Sequence, residues 1–148
     1  MYEFLRENAK AKASVGSINA SYSDKTPFEI LFGAVGNYIE MNKNAEMRAF
    51  YKVIYSERCY NKLAAKILVE ETERMIAATN SLFEVMQSMG IMRLKDIEEE
   101  AISYALTVHG LMDYCLDCEF IGKASDKGED MIRDYIKSFC ILHEVKEK

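Results

Sequence analysis

Apolar residues recur along this chain at intervals of three and four, and no segment alternates apolar with polar for long. That period belongs to helices whose one face is buried, and the pattern predicts an all-α fold of five or six helices in a single domain spanning residues 1–148. The clearest start is Thr26-Pro27-Phe28-Glu29. Thr26 can cap, proline suits the first helical position, and Glu29 stands three residues after the cap. The helix that follows runs to about Met41, with Phe28, Leu31, Phe32, Val35 and Ile39 on one face. A shorter one over about Ala45–Tyr55 carries Met47, Phe50, Tyr51 and Ile54. Ser56 is then expected to cap a long central helix ending near Met89, where Gly90 supplies the stop. Its apolar positions are Leu63, Ala64, Ile67, Leu68, Met75, Ile76, Leu82, Phe83 and Met86. Asp96, with Glu99 three residues on, opens a helix reaching about Phe120, and Asp126 with Glu129 opens the last, to about His143. At the front, a short helix over about Tyr2–Ala13 precedes a polar loop over Ser14–Lys25.

The helix expected from Asp96 to Phe120 is apolar on two sides. Ala101, Tyr104, Ala105, Val108, Met112 and Cys115 form one face, and Ile102, Leu106, Leu111, Tyr114 and Cys118 a second. A surface helix needs one apolar face, so a helix with two is buried from two directions. The second cover is expected to be another subunit, the alternative being one thick core within the chain. The last helix is also rich in apolar residues. Together they predict a symmetric homodimer in which two helices from each copy form a four-helix bundle. The interface candidates are Leu111, Tyr114, Cys118, Ile132, Tyr135, Ile136 and Phe139.

The order of these elements resembles the C-terminal part of TetR-family transcriptional regulators. Tyr2-Glu3-Phe4-Leu5 is similar to the helix leaving that family's DNA-binding head, and a proline-started helix follows it. Arg48-Ala49-Phe50-Tyr51-Lys52-Val53-Ile54-Tyr55-Ser56-Glu57 resembles the segment before the family's long central helix. Gly90-Ile91-Met92-Arg93 and Lys95-Asp96-Ile97-Glu98-Glu99-Glu100-Ala101 resemble the turn into its penultimate helix. Leu106-Thr107-Val108-His109-Gly110-Leu111 is similar to the glycine-bearing middle of that helix. The likeness covers nearly the whole chain as a pattern, without a sharp motif. The family's helix-turn-helix signature is absent from this sequence. The resemblance therefore implies an effector-binding and dimerisation domain that reaches DNA only through a head not present here. It also implies a pocket among the central helices, for which Phe28, Phe32, Phe50, Tyr51, Met75, Phe83, Met86, Tyr104, His109 and Met112 are candidates, with Thr72 and Thr79 as polar contacts. The effector is expected to be small and apolar or amphipathic.

Composition narrows this further. Nine methionines are many for the length, and methionine fits adaptable apolar sites as well as ordinary cores. The net charge of −5 makes a poor partner for phosphate backbones, and Lys10, Lys12 and Lys25 are the best basic run. No apolar stretch approaches the roughly 18 residues of a membrane span. The opening residues lack a secretory pattern, and the four cysteines are expected as free thiols in a reducing cytoplasm.

Candidate chemistry is sparse. Cys115-x-x-Cys118 and Cys140-x-x-His143 have the residue types of a zinc site, yet both pairs fall inside helical patterns, so packing is the expectation and no metal or other cofactor is assigned. There are two histidines, neither follows a glutamate by three positions, and no glycine-rich phosphate loop is present. Nothing points to catalysis. The alternative to a sensor is a helical scaffold or protein-interaction module with no small ligand. From the acidic charge and the missing head, a gel shift at physiological salt is expected to show no sequence-specific complex. A band surviving excess competitor DNA would contradict this.

Overall fold

The structure, a computed structural model, describes residues 24–42, 44–123 and 126–145, with the backbone alone at Tyr38, Met41, Asn42 and Asp126. The expected helix at Tyr2–Ala13 and most of the polar loop after it lie outside the described residues. Among the described residues the fold is all-α, with five helices and no strand. They are α1 (Pro27–Asn42), α2 (Ala45–Glu57), α3 (Lys62–Ser88), α4 (Ile97–Phe120) and α5 (Asp126–Leu142). No described helix is long and apolar enough to cross a membrane.

Local chemistry accounts for most boundaries. The Glu29 N–H donates to Thr26 Oγ1 at 3.2 Å, the bond expected of that cap. Asn44 Oδ1 caps α2 by accepting from Glu46 and Met47, and Asp96 Oδ1 caps α4 by accepting from Glu99. One start differs from expectation. Ser56 lies within α2, where its hydroxyl donates to the Val53 carbonyl. Asn61 caps α3 instead, accepting from the Leu63 and Ala64 N–H groups and donating to Glu57. Two glycines end helices in the left-handed region, Gly90 at φ 75° and Gly122 at φ 78°. After α3, Ile91 N–H reaches Met86 O and Gly90 N–H reaches Gln87 O; after α4, Lys123 N–H reaches Cys118 O and Gly122 N–H reaches Glu119 O. These paired bonds satisfy carbonyls that a helix end otherwise leaves open.

The chain's contacts divide it into two compact units, with the divisions falling inside α1 and α3. The first unit includes Ile30–Glu73. In it Met47, Phe50 and Ile54 of α2 pack with Ala64 and Ile67 of α3, flanked by Tyr51 and Leu68. Ile30, Leu31 and Val35 of α1 are buried as well.

The second unit holds Thr26–Glu29 and, from Arg74 onward, the rest of the described chain. Here α4 packs against α5. The buried side of α5 is Gly128, Ile132, Ile136, Phe139 and, just beyond its end, His143. At Gly128 the two helices are in close contact. A β-carbon there would collide with Cys115 Sγ and sit 3.3 Å from Cys115 Cβ and 3.4 Å from its Cα. At the other end the Arg93 N–H donates to the His143 carbonyl at 2.9 Å, and the Leu94 N–H donates to Gln87 Oε1 at 2.8 Å. α4 opens with Glu98, Glu99 and Glu100, carries no Lys or Arg, and closes with Asp117 and Glu119 near its end.

The close approach at Gly128 is testable by sign. Ala normally favours a helix over Gly by about 1 kcal/mol, and Gly33, with open space around it, is expected to gain roughly that on Gly33→Ala. Gly128→Ala is expected to lose about 1–3 kcal/mol by overpacking. Cys115→Ala in the same chain should recover part of the loss, because it removes the atom struck. Urea denaturation of the four variants, the double variant included, measures the coupling, and strict additivity would contradict the contact.

Candidate functional site

The helices of the second unit meet around a cluster of rings. Phe139 of α5 stacks on Phe83 of α3, centroids 5.3 Å apart, and lies 4.9 Å from Tyr104 of α4. Tyr104 also meets Phe83 edge-on at 5.3 Å and Tyr135 at 5.8 Å. His143, one turn beyond Phe139, lies 4.3 Å from its ring. Such tilted and offset geometries suit the aromatic quadrupole and add to the burial of apolar area.

Polar groups border this cluster. A carbonyl can only accept, so His143 Nδ1 donates to Phe139 O at 2.9 Å, which turns Nε2 toward Glu100 Oε1 at 3.4 Å. The contact is an ion pair when the ring carries both protons. Tyr104 Oη is buried and has no hydrogen-bond partner among the described residues. Burial pushes this phenol above its ordinary value of 10.0, and nearby Cys140 and Tyr135 add to the rise. Burial also raises Tyr135, with Glu100 adding and a hydrogen bond to Thr107 opposing. The Cys140 thiol is pushed up to about 11 by burial alone. Cys115 is raised first by burial, then by Glu129 and Cys118.

The residues expected to line a pocket fall in both units. Phe50 is buried in the first unit's core and Tyr51 packs beside it, its hydroxyl donating to Glu71 Oε2 at 2.8 Å. Phe32 and Thr72 are half-buried in the same unit. In the second unit, Phe83, Met86, Tyr104 and Met112 are buried, and Met75 and Thr79 are half-buried. Of these, Phe83 and Tyr104 are in ring contact. Phe28 carries Lys137 Nζ 5.7 Å from its ring centre. His109 stands at the α4 surface, 3.5 Å from Asp113 one turn on. The Thr72 and Thr79 hydroxyls donate to Leu68 O and Met75 O in their own helix, which leaves them as acceptors toward any ligand.

The interface candidates also divide. Cys118, Ile132, Ile136 and Phe139 are covered by the chain itself, Ile136 completely at 0 % exposed. Their apolar character is satisfied where α4 and α5 pack within one copy, so they are not free to meet a second. Leu111, Tyr114 and Tyr135 keep accessible surface. Periodicity announces an apolar face but not which element covers it.

Two features escaped the sequence reading. Phe139 is the hub of the ring cluster, and Glu100 pairs with His143. The signal for the first was the placement of Phe139 and His143 four apart on the same face as Ile132 and Ile136. The Glu100 partnership has no local signal. The four cysteines are free thiols, and among the described residues no three His, Cys, Asp or Glu side chains are grouped to hold a metal ion.

No protein-family model matches this chain, and comparison with curated proteins and with solved structures finds no match.

The raised thiols give a pH prediction. The folded Cys140 sits above its ordinary 9.0, so its contribution is complete below pH 9.0 and is lost as pH rises through about 11. The urea midpoint is expected to fall over that range, and Cys140→Ala should flatten the first part of the fall. An unchanged alkaline profile in the variant would contradict it. At neutral pH, alkylation should take exposed Cys59 first, Cys115 and Cys140 more slowly, and buried Cys118 last.

Proposed function

We propose that this chain is the effector-binding and dimerisation domain of a TetR-like regulator. It senses a small apolar or amphipathic molecule, makes no DNA contact of its own and has no catalytic role. The observation that carries this reading is the two-sided character of α4. Ala101, Tyr104, Ala105, Val108 and Met112 are buried within the chain, while Ile102, Leu106 and Tyr114 stay 39 %, 46 % and 41 % exposed. A second copy covers that outer row most economically. Leu106 and Tyr114 lie equally far on either side of Gly110, so a two-fold axis near Gly110 sets Leu106 of each copy against Tyr114 of the other. Gly110 itself has open space where a side chain would project, which favours close approach of the two helices.

Regulation in such a domain is a population shift. A ligand that binds one arrangement of the helices better than another moves the dimer toward it by no more than its difference in affinity. The supporting chemistry is the cluster of aromatic side chains on α3, α4 and α5, with Met86 and Met112 also buried in that unit.

The reading requires a dimer at micromolar concentration by light scattering. Leu106→Glu places an unpaired carboxylate against Tyr114 of the other copy, twice across the two-fold, and is expected to weaken association by about a hundredfold or more, with helicity retained by circular dichroism. A monomeric unmodified chain would overturn the proposal in favour of a scaffold or interaction module. Ile136→Glu serves as the contrast. Because Ile136 is buried within one copy, that change should unfold the unit and not merely dissociate it.

A further inference from the structure

Tyr104 is a phenol placed where the surrounding rings ask for a phenylalanine. Its side chain is 5 % exposed and packed among Phe83, Phe139 and Tyr135. Phenylalanine fills nearly the same volume without an oxygen, and two of those three neighbours are phenylalanines. A hydroxyl buried without a partner is costly, because the water it left behind is not replaced. Tyr104 Oη has no such partner among the described residues, so the structure keeps a hydrogen-bond donor unused inside an apolar site.

The surroundings state what would satisfy it. The two groups near enough to act on the phenol electrostatically are the Cys140 thiol and the Tyr135 hydroxyl. Both side chains are half-buried, whereas Tyr104 itself is buried. Neither is a cation, and α4 supplies none. On α5, Lys137 lies over Phe28 and Arg133 pairs with Asp130. The charged group acting on Tyr135 is Glu100, which disfavours an anion. We propose that the Tyr104 hydroxyl donates to the acceptor oxygen of an uncharged, mainly apolar carbonyl compound that settles against Phe83 and Phe139. Tyr135, the outermost ring, gives way to admit it. This deepens the effector-binding reading and rests on it.

The test uses a matched set of probes on the full chain: 2-acetylnaphthalene, 2-ethylnaphthalene and 2-naphthoate, followed by calorimetry. The ketone is expected to bind about tenfold more tightly than the hydrocarbon, the worth of one neutral hydrogen bond. It should also exceed the carboxylate by at least as much. In Tyr104→Phe the preference for the ketone over the hydrocarbon should vanish, while the variant without ligand melts at the same temperature or higher. Equal binding of ketone and hydrocarbon to the unmodified chain would overturn the inference and leave the effector reading standing, as would a preference that survives in Tyr104→Phe. Carboxylate binding as tight as the ketone would overturn the claim of an uncharged ligand. A lowered melting temperature in Tyr104→Phe would show that the hydroxyl is already satisfied, by water for instance, and would also overturn it. Failure of all three probes to bind would count against both the inference and the effector reading.

Discussion

The ring of Phe139 decides how the second unit is put together. It touches Phe83 from α3, Tyr104 from α4, and Tyr135 and His143 on its own side of the chain, all with centroids within 6.4 Å. One ring in contact with two other helices fixes the rotation of α5 about its own axis. Protein interiors are packed densely enough that such a ring has few alternative seats. Gly128 and His143 lie on the same face, so the rotation that seats Phe139 also brings the helix backbone against Cys115 at one end. At the other it brings the imidazole against Glu100. Once α5 is oriented, the covered face of α4 is settled, and so is the face left outside.

The first unit is organised differently. Among the described residues its buried side chains are aliphatic or methionine apart from the ring of Phe50, and the tight link at residues 58–61 sets α2 against α3. Asn61 does two jobs there. It caps the longer helix through Oδ1 and reaches Glu57 on the shorter one through its amide nitrogen. Glu71 accepts from Tyr51 on the neighbouring helix, a polar tie beside the apolar contacts.

Much of the fold was legible in the sequence because its helix boundaries are local events. Thr26 with Glu29, Asp96 with Glu99, and the stop at Gly90 each involve residues within one turn of each other. Ser56 misled because serine is a good cap in the abstract, whereas here the chain stays helical past it and turns only at Arg58. The two-sided pattern of α4 was also readable, yet Ile132, Ile136 and Phe139 were assigned to a partner that the chain itself supplies. Pattern tells which faces avoid water, and nothing local distinguishes a neighbour forty residues away from a neighbour in another copy. The site suffers the same limit. The hydroxyl of Tyr104 and the pairing of Glu100 with His143 have meaning only across helices, so no spacing rule reaches them.

One property of α4 extends beyond packing. A helix is electrically positive at its start and negative at its end, so Glu98, Glu99 and Glu100 in the first turn of α4 sit where the helix favours them. The closing turn is held by the backbone bonds around Gly122. Dissolved ions weaken the attraction of such charges at surface sites, over a length of about 10 Å in 0.1 M salt. The opening turn of α4 is therefore the part of the helix that responds to ionic strength, held more firmly in dilute buffer than in concentrated salt.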